Sequence, residues 1–209
     1  MPKYSAKTPK LSAKREKNRE RIIATAERLF YEKGFSATPL RELIKESGLS
    51  TTVFYSFFSN KRHLLVELIL PLGEEINNEL NAAFRDSTTD GDPIEKAVGI
   101  GLEVYARHRK LTKIIITETA AQNLQSRGPL RKVLDRSMEI VMGQLEIGVA
   151  KGYFRPVDPM TFAYSFVAML HMHLYRWAVL GEFSRKEMIA GAGALAQVFR
   201  SAVPQRGST

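Results

Sequence analysis

The tightest constraint on the fold is a series of helix starts and stops between residues 33 and 61. Lys33-Gly34 ends one helical stretch, and Thr38-Pro39 opens the next. Ser47-Gly48 closes that one, Ser50 opens a third and Asn60 a fourth. Gly tolerates the left-handed conformation that terminates a helix. Thr, Ser and Asn accept hydrogen bonds from the free N–H groups of a first turn, and Pro at the first helical position lacks the N–H that would go unpaired there. The second stretch, 39–47, buries Leu40, Leu43 and Ile44; the third covers 51–57. Two short helices joined by a Gly-containing turn form a helix-turn-helix.

The flanking sequence is helical too. From about Asn18, the residues Ile22, Ala26, Leu29 and Phe30 fall on one stripe at i, i+4, i+7 and i+8. The fourth helix starts at Lys61 and buries Leu64, Leu65, Leu68 and Ile69. Pro71 is expected to kink or break it and to act as a pivot, because proline removes a backbone bond and clashes with the preceding turn. The pattern resumes at Ile76, Leu80 and Phe84, and the turn-rich residues 86–92 form an internal boundary. Five more helices are predicted, over 93–107, 111–124, 129–151, 159–180 and 185–201. No segment alternates with a period of two. The expectation is an all-α fold of about nine helices: a flexible basic arm (1–17), a three-helix helix-turn-helix domain (18–65), a helical domain (66–203) and a tail (204–209).

Composition narrows the class. The chain has no cysteine, which excludes disulfides, thiol nucleophiles and Cys-ligated metal, and fits a cytoplasmic setting. No apolar run reaches the ~18 residues of a membrane span, so no membrane partner is expected. The net charge of +9 is unevenly placed. Residues 1–21 hold eight Lys/Arg against two acids, residues 22–65 six against four, and residues 66–209 seventeen against sixteen. A one-ended basic excess suits a polyanion partner or a solvated tail.

The stretch Ala26-x-x-Leu29-Phe30, Gly34-Phe35, Thr38, Gly48-Leu49-Ser50 and Tyr55-x-x-Phe58-x-x-Lys61-x-x-Leu64 resembles the DNA-binding domain of the tetracycline-repressor (TetR) family of bacterial regulators. The loop 152–159 is similar to that family's approach to its dimerisation helix. Two positions depart from the pattern: Thr52 stands where the family usually has Gly, and Ser47 where it has a smaller residue. The resemblance implies a sequence-specific transcriptional regulator: a homodimeric repressor on a palindromic operator in double-stranded DNA, released by a small apolar or aromatic effector.

A recognition helix enters the major groove N-terminus first, which nominates Thr51, Thr52 and Ser56 for base edges or phosphates. The resemblance implies phosphate contacts for Tyr55 and Lys61. Thr38 and Arg41 are candidates at the start of the second helix, with capping as the alternative role of Thr38. Phe54 is expected to pack inward. From the arm and first helix, Lys14, Arg15, Lys17, Arg19 and Arg21 are expected over phosphates or in the minor groove.

The helix over 159–180 is apolar on nearly every face, which implies a covering partner subunit. Its Phe162, Phe166 and Leu170, with Gly191, Ala192, Leu195, Val198 and Phe199 of the last helix, form the expected homodimer interface. Tyr105, His108, Thr117, Glu118, Asn123, Met142, Met169, His173, Tyr175 and Trp177 are candidate effector-pocket residues. His171 and His173 lie two apart on a helix and point to different faces, so no shared metal site is expected. Neither a metal nor a cofactor is expected. An all-helical cofactor enzyme is the competing class, but no Glu-x-x-His, Gly-rich phosphate loop or nucleophile motif occurs. A nonspecific DNA-coating protein is the other alternative.

Overall fold

The computed structural model describes residues 9–85, 93–121, 128–152 and 154–202. All regular structure among them is helical: α1 (Pro9–Lys33), α2 (Leu40–Ser47), α3 (Thr51–Tyr55), α4 (Lys61–Arg85), α5 (Pro93–Arg107), α6 (Arg109–Ala121), α7 (Pro129–Ala150), α8 (Pro159–Ala178), α9 (Arg185–Ala190) and α10 (Ala192–Ala202). The chain divides into two compact units, Met1–Leu68 and Ile69–Thr209, with the boundary inside α4 rather than at residue 65.

In the first unit the predicted stripe of α1 is the core. Ile22, Ala26, Leu29 and Phe30 are buried, joined by Leu43 of α2, Phe54 of α3 and Leu64, Leu65 and Leu68 of α4. Gly34 and Gly48 both have positive φ, 84° and 64°. At Gly48 the constraint is double, because a Cβ there would also lie 2.7 Å from the Arg21 guanidinium. Ser50 caps α3 by accepting from the Val53 N–H at 3.3 Å, and Asn60 accepts from the His63 N–H at 2.8 Å.

Three boundaries differ from the sequence reading. Helix α1 starts at Pro9, so residues 9–17 continue the helix instead of forming an arm; residues 1–8 lie outside the described set. Helix α4 runs unbroken through Pro71, so the expected break is absent. The proline ring is exposed, while Leu72, Ile76 and Leu80 are buried on the next turns, so packing holds the helix across the missing bond. The last predicted helix is interrupted at Gly191, where a Cβ would fall 2.7 Å from the His173 ring.

The second unit packs α5 to α10 with the later part of α4. Its main core joins Val98 and Leu102 of α5, Met138 and Leu145 of α7, Phe162, Phe166 and Trp177 of α8, and Phe199 of α10. Helix starts follow capping chemistry. The Asp158 carboxylate accepts from the Thr161 N–H at 2.6 Å, and Ser184 and Glu187 form a reciprocal capping box. Among the described residues no helix is long and apolar enough to cross a membrane.

Candidate nucleic-acid interface

Helix α3 presents a mixed surface. Phe54 is 1% exposed and packs tilted against Phe58. Thr51, Thr52, Tyr55 and Ser56 are exposed, Tyr55 by 53%. The Tyr55 ring leans edge-on against Phe54, so its polar end is held outward by a buried partner. The helix stops at Tyr55, and the Ser56 hydroxyl donates to the Val53 carbonyl at 2.7 Å, closing the last turn.

Two of the expected contacts face inward. Thr38 is 0% exposed and does not cap α2, whose flanking residue is Pro39; its hydroxyl donates to the Gly34 carbonyl at 2.8 Å. The Thr38 side chain is therefore closed to a direct DNA contact. Lys61 donates from Nζ to the carbonyls of Phe35 and Thr38, at 2.7 and 2.8 Å, and the ammonium lies 4.1 Å from the Phe35 ring centroid. It ties the start of α4 to the turn between α1 and α2. No side-chain pattern marks this tie, because its acceptors are backbone carbonyls.

The basic residues separate into bound and unbound sets. Arg21 donates to the Ser47 carbonyl at 2.8 Å, and Arg19 pairs with Glu67 at 2.9 Å. Arg28 bridges Glu32 and Glu46, and Lys33 pairs with Glu42, which raises the lysine pKa through that hydrogen bond. Glu42 and Glu46 of α2 are thus neutralised by α1. Arg15 places its guanidinium 5.3 Å from the Phe57 ring centroid, just past the recognition helix. Lys14, Lys17, Arg41 and Lys45 are exposed and make no ion pair with the described residues. Lys45, missed from the sequence, becomes recognisable only once its acidic neighbour Glu46 is seen paired with Arg28.

A short, exposed second helix of a helix-turn-helix, flanked by unneutralised bases, is the geometry of a major-groove reader. The family model for bacterial regulatory proteins of the tetR family matches residues 22–68, ending where the first compact unit ends. Residues 22–68 are therefore a DNA-binding domain of the tetR family. It is similar to the HTH-type transcriptional regulator HbdR of Aromatoleum sp. (strain CIB), at 24% identity over 83% of this chain and 76% of HbdR. A putative TetR-family regulator from Syntrophomonas wolfei superposes with a TM-score of 0.73 at 25% identity, covering 90% of this chain and 95% of that one. FadR of Bacillus subtilis, solved in complex with stearoyl-CoA, shares the fold, with a TM-score of 0.72 at 15% identity over 86% and 96% of the two chains.

The second unit holds a cleft enclosing about 1050 Å³ of empty space, part of it open to solvent. Ile69, Ile76, Ile116, Val133, Phe166 and Leu174 are among its apolar walls, and Tyr105, Ser137 and His171 are its polar ones. Of the predicted pocket residues only Tyr105 lines it. His108 pairs with Glu75 on the surface, and Thr117 bonds back to the Lys113 carbonyl. Glu118 is buried away from the cleft. Met142, Met169 and Tyr175 pack beside the core, and Trp177 is in it. The His173 ring bonds to the Met188 carbonyl at 2.9 Å and stacks on Phe183. Asn123 lies outside the described residues. His171, considered in the sequence only as a metal ligand, lines the cleft. Among the described residues no three metal-ligating side chains converge.

The expected interface residues also divide. Phe162, Phe166 and Phe199 are buried within the subunit, Leu195 packs beside its core, and Phe166 and Leu170 line the cleft. Phe162, Phe166 and Phe199 are closed to a partner because α5, α8 and α10 already enclose them, while Leu170 and Leu195 are partly exposed. What α8 leaves open is Met160, Tyr164, Ala168 and Met172, spaced by four, with Met172 57% exposed; on α10 Val198 is 52% exposed. Gly191 and Ala192 are half-buried.

Proposed function

We propose that this TetR-family transcriptional regulator is a two-fold dimeric repressor that reads a palindromic operator and leaves it when a small apolar molecule fills the C-terminal cleft. The observation that carries the reading is the division of charge in the first unit. The acids of α2 are consumed by Arg28 and Lys33, while Lys14, Lys17, Arg41 and Lys45 remain uncompensated. In this reading Thr51 and Thr52 meet base edges, a threonine methyl suiting a thymine methyl. Tyr55, Ser56, Arg41 and the exposed bases of α1 lie on phosphates. Arg19, Arg21 and Lys61 hold the helices that present them.

The exposed stripe Met160, Tyr164, Ala168 and Met172, with Val198, is the proposed dimer face. Two recognition helices related by a two-fold axis fit half-sites roughly 34–36 Å apart. The cleft wall includes Ile69, Leu72, Ile76 and Leu80 of α4, the helix that begins in the DNA-binding unit. A ligand favouring one setting of that wall shifts the population of α4 arrangements. FadR of Bacillus subtilis, which shares the fold, is solved with stearoyl-CoA, a ligand with a long apolar acyl chain and an anionic CoA group. Binding rather than catalysis, in the cytoplasm, is the proposed role.

Selection from a random DNA pool supplies the operator, and salt titration tests the reading on it. The triple variant Lys14→Ala/Lys17→Ala/Arg41→Ala is expected to flatten the log–log salt slope by about 0.9 per lost phosphate contact. Arg19→Ala, whose charge is already paired, should leave the slope unchanged. An unchanged slope in the triple variant sinks the charge assignment, and equal affinity for operator and random DNA supports a nonspecific coating protein instead.

A further inference from the structure

Two polar groups in the cleft are unused by the fold. The ring of Tyr105 edges the cleft and its hydroxyl lies deep, where burial pushes the pKa up to about 12, so it remains a neutral O–H donor. It has no hydrogen-bond partner among the described residues. The imidazole of His171 lines the same cleft, also without such a partner, and burial lowers its pKa, favouring the neutral ring. Native proteins seldom leave a buried hydroxyl unpaired. Ser137 is different. Its hydroxyl lies 2.7 Å from Asn77 Oδ1 and 3.0 Å from the Val133 carbonyl, so its proton is committed internally and only lone pairs remain for a ligand.

The surroundings restrict the ligand further. Among the described residues no Lys, Arg, Asp or Glu lines the cleft. A carboxylate or phosphate placed there would lose its hydration and gain no counter-charge. A second, smaller cavity, part of it open to solvent, adjoins the first; the two share Leu80, Ala97, Val141 and Phe166 as a common wall. Beyond that wall its lining is Phe84, Ile94, Ile140, Leu145, Phe154 and Phe162, with Gln144 as its single polar side chain. Hydrogen-bonding capacity is therefore concentrated at one end, and the extension at the other is apolar apart from Gln144.

We propose that the effector is an elongated, uncharged molecule whose hydrogen-bonding oxygen is held by Tyr105 and His171 and whose apolar tail passes Phe166 into the second cavity. A long-chain alcohol or ketone has this chemistry. The inference rests on the effector reading above, but it concerns what the cleft binds and can fail separately.

The test is displacement of the neutral dye Nile red from the purified full-length protein near neutral pH, with octanol, octanoate and chlorooctane as probes. Octanol is expected to displace the dye at a concentration about tenfold lower than octanoate, since only the latter buries a charge. Tyr105→Phe should weaken octanol about tenfold and leave chlorooctane unchanged, because it removes one hydrogen bond and no packing. Its hydroxyl has no protein partner, so the variant should fold. Gln144→Trp, which fills the second cavity from its rim, should penalise dodecanol more than octanol. Octanoate binding as well as octanol, or Tyr105→Phe weakening all probes equally, overturns the head-group assignment. Equal losses for dodecanol and octanol in Gln144→Trp overturn the tail assignment. Octanol binding without release of operator DNA leaves the cleft chemistry standing and removes the effector role instead.

Discussion

In the first unit, Lys61, Arg21 and Thr38 direct their donors onto backbone carbonyls of their own domain. In the second, Tyr105 and His171 carry theirs into an apolar cleft where no described residue receives them. The contrast follows from what each unit must recognise. A DNA reader has to fix a five-residue helix in space. So short a helix has almost no stability of its own; it is held by clamps at both ends and by Phe54 beneath it. A ligand-sensing unit must keep part of its polar and apolar surface unsatisfied until something arrives. The exposed stripe of α8 extends the same contrast from polar groups to apolar ones.

The largest effect is expected at that stripe. Tyr164→Glu with Met172→Glu places two charges where a partner helix would pack. Light scattering should show the wild type as a dimer and the variant as a monomer. Operator affinity should fall on the order of a hundredfold, the loss of one linked binding event. A monomeric wild type would break the comparison at its second half, because the exposed stripe would then have no partner to explain it.

The next effect concerns whether Lys61 belongs to the clamps or to the phosphate contacts. Lys61→Met keeps an unbranched side chain and removes both bonds to the turn together with the ammonium's contact with the Phe35 ring. Unfolding by denaturant should show a loss of about 1–2 kcal/mol, as for charge-assisted hydrogen bonds at a partly exposed site. The salt slope of operator binding should not change. A slope lower by about one, with unchanged stability, would place the ammonium on a phosphate in the complex.

These two cases also show how legible the chain was. Helix order, the capped starts at Ser50 and Asn60, and the stripe Ile22, Ala26, Leu29 and Phe30 could be read directly, because they depend on neighbours within a few residues. Thr51 and Thr52 were nominated by the docking geometry of a recognition helix, and Tyr55 by the resemblance. The inward turn of Thr38 and Lys61 could not be read, since their acceptors are backbone carbonyls that a side-chain pattern does not mark. Arg19 illustrates the same limit for charge: its partner Glu67 lies on another helix. The cleft was harder still. Periodicity separates buried from exposed positions but does not separate a core position such as Trp177 from a cavity wall such as Leu174; that depends on how the faces of α4, α5, α7 and α8 leave space between them.

The smallest effect lies in the local chemistry that the two units share. Asp158 caps α8, and hydrogen bonds from the Thr161 side chain and then from its N–H hold the carboxyl below the ordinary value of 3.8. A carboxylate depressed in the folded state adds stability that is fully present above the unfolded pKa and is lost as pH falls through the folded one. Asp158→Asn keeps an N-cap side chain of nearly the same size but does not titrate. Thermal unfolding should therefore show the wild type slightly more stable than the variant near neutral pH, with the gap closing as the pH drops below about 4. A gap that stayed constant with pH would mean that the charge at this cap contributes nothing and that Asp158 acts only as a neutral acceptor.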